Sequence, residues 1–245
     1  LKPSQTLAWA SRFAGIKLKA GLGWRPYYPL TGFRSGYPRL ASDDAHEIDF
    51  NLSVAQKLFP GPVSDIAPEI GIPEELKTRA RRLLSQHKLQ RPVAILPANR
   101  GSSPNWAVET YAALAENLKL GGRAVAVIGG PGEGDVLARA ASRSEAPVLG
   151  PDLSLLELAA LLSQCRLAIA SSTGTLHLAA AVGAPTVGLF CSRPASRPRR
   201  WAPLGTRHVQ FVPKTNWCGS CGGSARCDLS GIDINQVTDA AEKEK

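Results

Sequence analysis

From residue 93 the chain repeats one pattern: an apolar run of strand length, then a polar or glycine-rich loop, then a helix-length segment. The apolar runs are 93–96, 124–128, 148–149, 167–170 and 186–190; the segments between them predict helices over 106–118, 136–141, 153–163 and 175–182, and a last helix begins at Asp233. Strands separated by helices cannot pair as hairpins, and runs without polar alternation are buried on both faces. The expectation is an α/β fold: a parallel sheet covered by helices on both sides. In such sheets ligands bind at the carboxyl ends of the strands, where the loops collect.

Three of those loops, 97–105, 129–135 and 171–174, are crowded with Gly, Ser, Thr, Pro and Asn. The third joins a strand to a helix through Ser171-Ser172-Thr173-Gly174, and Gly183 closes that helix. A helix start of this kind presents free N–H groups and a partial positive charge, which hold a phosphate. The same residues also serve as an ordinary N-terminal cap. Three such loops at one sheet edge favour a ligand site over a mere cap.

Residues 1–72 have a different texture. A helical stripe over 5–13 stops at Gly15, residues 16–20 alternate as a short strand, and 24–40 reads as an irregular loop. A second helix over 46–59 is broken by Pro60-Gly61-Pro62, and 68–72 is linker-like. Pro73 is expected as the first residue of a helix reaching about residue 88, with Glu74 and Glu75 in its first turn. The expected division is a partial domain over 1–72, a linker helix over 73–90, and a ligand-binding domain over 91–245. The chain starts Leu1-Lys2-Pro3 and contains no Met, so it is expected to be part of a longer protein.

The formal charge is +9, which suits an anionic partner of any kind: nucleic acid, a membrane surface or a phosphorylated substrate. The basic clusters at 77–82 and 193–200 lack the interleaved aromatics of a single-strand binder, so nucleic acid is not expected. Of the five cysteines, Cys165 and Cys191 are expected as buried small hydrophobes. Cys218, Cys221 and Cys227 lie in a glycine-rich loop; with His208 they could complete a zinc site, but the expectation is a reduced loop and no metal.

The glycine cluster Gly129-Gly130-Pro131-Gly132 is not a dinucleotide fingerprint, and neither a P-loop nor a G-x-S-x-G elbow occurs. What remains is glycine-lined loops, a hydroxyl-rich helix start, the acid Glu133 and His177. These suit a nucleotide diphosphate, with backbone donors for the phosphates and a carboxylate for ribose hydroxyls. His177, set among Leu176, Leu178 and Ala179, is expected to brace the turn from behind rather than act as acid or base.

The stretches Ser172-Thr173-Gly174-Thr175-Leu176-His177 and Gly183-Ala184-Pro185-Thr186-Val187-Gly188-Leu189-Phe190 resemble the signature of glycosyltransferase family 9, the heptosyltransferase family of lipopolysaccharide core assembly. Ile95-Leu96-Pro97-Ala98-Asn99 with Trp106, Gly129 to Glu133, and Leu155 to Ala159 are similar to the family's donor domain; the likeness is weaker over 1–72. The resemblance implies a GT-B fold, with a Rossmann-like C-terminal domain and a truncated N-terminal α/β domain. It implies inverting transfer of a sugar from a nucleotide donor, ADP-heptose first, to a lipopolysaccharide-core or related glycan acceptor, without metal or other cofactor. The enzyme is expected in the cytoplasm, where its basic surface fits approach to an anionic glycolipid acceptor at the inner face of the cytoplasmic membrane. The resemblance assigns the diphosphate to Thr173, Gly174 and Thr175, the ribose to Glu133, and the base to the surroundings of Leu155. Loop 97–105, with Asn99 and Arg100, would close over the phosphates.

Two departures stand out. Ser172 occupies a place where the family commonly has an acid, and Pro104-Asn105 stands where it has a Lys, whose charge Arg100 is expected to supply. The general base is expected upstream of Leu1. A non-catalytic nucleotide- or glycan-binding module derived from such an enzyme is the alternative reading.

Overall fold

The computed structural model describes residues 4–21, 24–35, 45–61, 67–193, 196–205, 207–213 and 229–244. The chain forms two compact units, one of residues 1–66 with Arg199–Trp201, the other of 67–198 with 202–245.

The first unit holds α1 (Gln5–Phe13), β1 (Ala20–Gly21), α2 (Tyr28–Thr31), β2 (Arg34–Ser35) and α3 (Glu47–Leu58). Ser4 caps α1 by accepting from the Leu7 N–H at 3.2 Å. His46 and Asp49 cap α3 reciprocally: Nδ1 of His46 accepts from Ile48, and Asp49 accepts from the His46 N–H at 2.9 Å. The alternation over 16–20 does not become a strand of that length. The ladder starts at Ala20, because the partner residues are only Arg34 and Ser35, paired in parallel with Ala20 and Gly21. The stretch 24–40, read from sequence as irregular, thus supplies both α2 and β2. Arg200 belongs to this unit: it donates to Glu47 Oε2 from Nε at 3.0 Å and from Nη2 at 2.8 Å, over the Phe50 ring.

The second unit contains α4 (Glu74–Gln86), β3 (Val93–Leu96), α5 (Val108–Leu120), β4 (Val125–Ile128), α6 (Gly134–Ala141), β5 (Val148–Leu149) and α7 (Leu155–Ser163). It continues with β6 (Leu167–Ser171), α8 (Gly174–Ala181) and β7 (Thr186–Leu189), then β8 (His208–Phe211) and α10 (Ile234–Lys243); of the short α9 (Pro198–Trp201) only Pro198 belongs here, Arg199–Trp201 being part of the first unit. Six strands form one all-parallel sheet in the order β5-β4-β3-β6-β7-β8. The expected α/β architecture is present. Every residue of β3, β4, β6 and β7 is buried, as their unbroken apolar runs require. Tyr111, Leu114 and Leu118 of α5 and Val237 and Ala241 of α10 close the core.

Helix starts differ from expectation by local chemistry. Pro73 takes an extended ψ of 139° and precedes the first turn instead of joining it. Trp106 also stays outside α5, because its ring is buried and Nε1 donates to the Leu229 carbonyl at 3.1 Å. α7 begins at Leu155, since Ser154 and Glu157 form a capping box. β8 was not foreseen: its residues are mostly exposed at the sheet edge, so no buried apolar run marks it. Cys218, Cys221 and Cys227 lie outside the described residues.

Cys165 and Cys191 are buried, and burial pushes the Cys165 thiol up to about 12. Reactivity requires the thiolate. Cys165 is therefore expected to resist iodoacetamide in mildly alkaline buffer while the protein is folded and to be modified on unfolding. Peptide mapping of the native protein that found Cys165 alkylated would contradict this.

Candidate functional site

The strand order has a reversal. The chain runs outward from β3 through β4 to β5, then returns to the far side of β3 to lay down β6, β7 and β8. The loops after β3 and β6 therefore leave the sheet in opposite directions and open a crevice between them, the place where open α/β sheets bind ligands.

Loop 97–105 is held by its own side chains. Asn99 Oδ1 accepts from the Gly101 N–H at 3.0 Å, and its Nδ2 donates to the Ser103 carbonyl at 2.5 Å. Asn105 Nδ2 donates to the Pro97 carbonyl at 2.7 Å, closing the base of the loop. Tyr111, reaching up from α5, donates its hydroxyl to Asn105 Oδ1 at 2.7 Å. Burial raises the Tyr111 hydroxyl above its ordinary value, so it stays protonated and available as that donor. Tyr111→Phe is expected to lower stability by about 1 kcal/mol, read by denaturant unfolding, and to speed amide exchange in 97–105. Unchanged exchange there would show that the hydroxyl does not hold the loop.

The loop after β4 is organised by Glu133. Its Oε2 accepts from the Gly130 N–H at 2.8 Å, and its Oε1 accepts from Arg100 Nε at 3.1 Å. Arg100 also donates through Nη2 to the Pro131 carbonyl at 2.5 Å, tying the two loops together. Arg100 is largely exposed, so this ion pair alone contributes under about 1 kcal/mol. Its weight is in placing both groups at one rim.

After β6 the chain turns into α8. Thr173 is the extended cap residue, yet its side chain makes no cap hydrogen bond to the first turn. Its hydroxyl donates instead to the Ser171 carbonyl at 3.2 Å and lies 2.9 Å from the Thr175 hydroxyl. The helix start therefore keeps its positive end available to an anion.

These loops line a cleft of about 880 Å³. Of the residues picked from sequence, Asn99, Arg100, Glu133, Leu155, Thr173, Gly174, Thr175 and His177 line it. Ser172 is not among the lining residues; its N–H donates to the Leu189 carbonyl at 3.1 Å, continuing the β6–β7 pairing. His177 lines the cleft as well. It belongs to the cleft wall, because Gly174, His177, Leu178 and Ala181 recur at helical spacing and share one face of α8. Leu176 and Ala179, fully buried, take the core side.

Several wall residues were missed. Leu153, Ser154 and Leu158 at the start of α7 extend the apolar wall around Leu155. The apolar stripe of α7 was legible, but nothing local told which part of it faced a ligand. Pro68 and Ile70 come from the stretch read as a linker, and Ile70 is fastened by donating its N–H to the Ala181 carbonyl at 2.9 Å. No periodicity marks that segment. The arrangement as a whole offers an anion-binding helix start, a carboxylate with a guanidinium at one rim, and an apolar wall broad enough for a planar ring.

Comparison with known proteins points the same way. Residues 4–227 match the model of glycosyltransferase family 9 (heptosyltransferase). A putative glycosyltransferase of Haemophilus influenzae is 27% identical over 245 residues, spanning 94% of this chain and 68% of that protein. A glycosyltransferase family 9 structure from Veillonella parvula superposes with a TM-score of 0.78 at 21% identity, covering 99% of this chain and 71% of its own. The ADP-heptose lipopolysaccharide heptosyltransferase II of E. coli superposes at 0.67 and 19% identity, covering 98% and 75%. These two likenesses speak for the fold, which is that of GT-B heptosyltransferases.

Proposed function

The chain belongs to glycosyltransferase family 9, and on that premise we propose that the cleft binds a nucleotide-diphosphate sugar, ADP-heptose by preference, for inverting transfer without metal to a lipopolysaccharide-core or related glycan. The observation that carries this reading is the uncapped start of α8 and the Glu133 carboxylate facing one cleft at the reversal of the strand order. Thr173, Gly174 and Thr175 would take the diphosphate, Glu133 the ribose hydroxyls, and Leu155 with Leu158 one face of the base. Arg100, now on Glu133 and the Pro131 carbonyl, lies where it can also meet a phosphate oxygen.

In the transfer, the acceptor oxygen attacks the anomeric carbon as the bond to the diphosphate oxygen breaks, and the acceptor proton passes to a general base. Negative charge grows on the departing diphosphate. A fixed row of N–H groups with the helix dipole behind it favours that charge most where it is greatest, in the transition state. The residues described here thus act on the leaving group. The net charge of +9 suits an anionic glycolipid acceptor at the cytoplasmic face of the inner membrane, and no helix among the described residues is long and apolar enough to cross one.

Titration calorimetry with ADP-heptose and with GDP- and UDP-sugars tests the reading. Saturable binding of ADP-heptose that ADP displaces is expected. Absence of binding by every sugar nucleotide would sink it, and binding without transfer to any lipopolysaccharide acceptor would favour a non-catalytic module.

A further inference from the structure

The edge of the sheet away from the cleft gathers four arginines. All strands of the sheet are parallel, so the residues that precede them collect at the amino edge. Arg91 stands two residues before β3, Arg123 two before β4, Arg166 one before β6, and Arg207 one before β8. Val93 is in register with Val125 on one side and Leu167 on the other, which sets Arg91, Arg123 and Arg166 at neighbouring places.

The end of α10 approaches this cluster. Arg123 donates through Nη2 to the Glu242 carbonyl, and Arg166 through Nη2 to the Glu244 carbonyl. Two carboxylates are near: Glu244, whose Oε2 is 3.8 Å from Arg207 Nη1, and Glu242, whose Oε1 lies against Gly121. Cations at a helix C-terminus are favourable, so a clamp on α10 accounts for the two Nη2 bonds. It leaves two facts over. The Nε atoms of Arg123 and Arg166 are both buried with no hydrogen-bond partner among the described residues. Burial, followed by the neighbouring Arg123 and Arg91, also holds the Arg166 guanidinium below its ordinary value, with Glu244 opposing.

Two buried Nε donors without acceptors, in a place where cations crowd one another, fit one ligand chemistry. A tetrahedral oxyanion accepts from Nε and Nη of a guanidinium through two oxygens and removes the mutual repulsion. We propose that Arg123 and Arg166 form a second oxyanion site that takes a phosphate group, with Arg91 and Arg207 at its rim. The site stands at the opposite edge of the sheet from the cleft and does not depend on the reading of the cleft. Free inorganic phosphate and a phosphorylated glycan both carry the group.

The test is a titration of the full chain with inorganic phosphate at constant ionic strength, followed by ¹⁵N–¹H spectra of the arginine Nε–H groups. Signals that vanish in Arg123→Lys and Arg166→Lys identify the two buried donors. These should shift saturably, with half-saturation near about 1 mM. Arg91→Gln, a change at an exposed residue, should weaken binding and Glu244→Gln should tighten it, each by about threefold. Glucose 6-phosphate, run in parallel, separates the sources: a tenfold lower half-saturation assigns a phosphorylated glycan, and equal values assign free phosphate. Shifts that grow linearly, or signals that do not move, overturn the site. A loss of stability in Arg166→Lys with no phosphate response in the parent chain would leave only the clamp on α10.

Discussion

Gly150→Ala is expected to destabilise the second unit by about 3 kcal/mol, the sum of backbone strain and a forced contact. Gly150 follows β5 at φ +103°, beyond the left-handed helical region that other residues tolerate, and an added Cβ would lie 2.5 Å from the Gly129 carbonyl oxygen. That oxygen is backbone, so it cannot swing away as a side-chain end would. Gly129 in turn begins the loop that Glu133 folds, so relief of the clash would move the cleft rim. Gly132→Ala is the control. Its φ is +78° but an added Cβ meets nothing within 4 Å, so only strain remains, about 1 kcal/mol. Denaturant unfolding of the two variants decides the matter: equal losses would mean that the contact with Gly129 is not what requires glycine at 150.

Glu133→Ala is expected to weaken binding of ADP or an ADP-sugar at least about tenfold while changing stability by no more than about 1 kcal/mol. One carboxylate performs two structural tasks here, accepting from the Gly130 N–H and from Arg100, and the proposed reading adds the ribose as a third. Glu133→Gln separates them. The amide oxygen can keep the bond to Gly130 but not the ion pair, so its affinity should fall between those of the parent and the alanine variant. Calorimetry that found Glu133→Ala binding ADP as tightly as the parent would remove Glu133 from the proposed donor site. Both results bear on the same rim, the first through its backbone and the second through its side chain.

The buried strands were legible because each is a continuous apolar run: 93–96 and 148–149 have the expected bounds, and the other three shift by a residue at one end. The helix ends were less so. Whether Pro73 or Trp106 joins the first turn depends on where its neighbours send its side chain or backbone, as the Trp106 bond to Leu229 shows. β8 escaped notice because an exposed edge strand has no buried face to imprint a pattern. In the first unit, residues 16–20 alternate as a strand should, but a strand needs a partner, and only residues 34–35 provide one.

For the site, the sequence was enough to pick the three small-residue loops and most of the polar groups in them, since glycine, serine and asparagine are chosen there for backbone reasons that act locally. It also determined the parallel α/β class, because that follows from spacing alone. Only the tertiary structure decided that those loops share one cleft, since the order β5-β4-β3-β6-β7-β8 is a matter of which strands pair, and many orders satisfy the same local pattern. The same pairing set Ser172 in the sheet ladder and gathered four distant arginines at the opposite edge. Period and composition act over a few residues, whereas neighbourhood across a sheet is set by contacts between residues far apart in the chain, and those exist only once the sheet has formed.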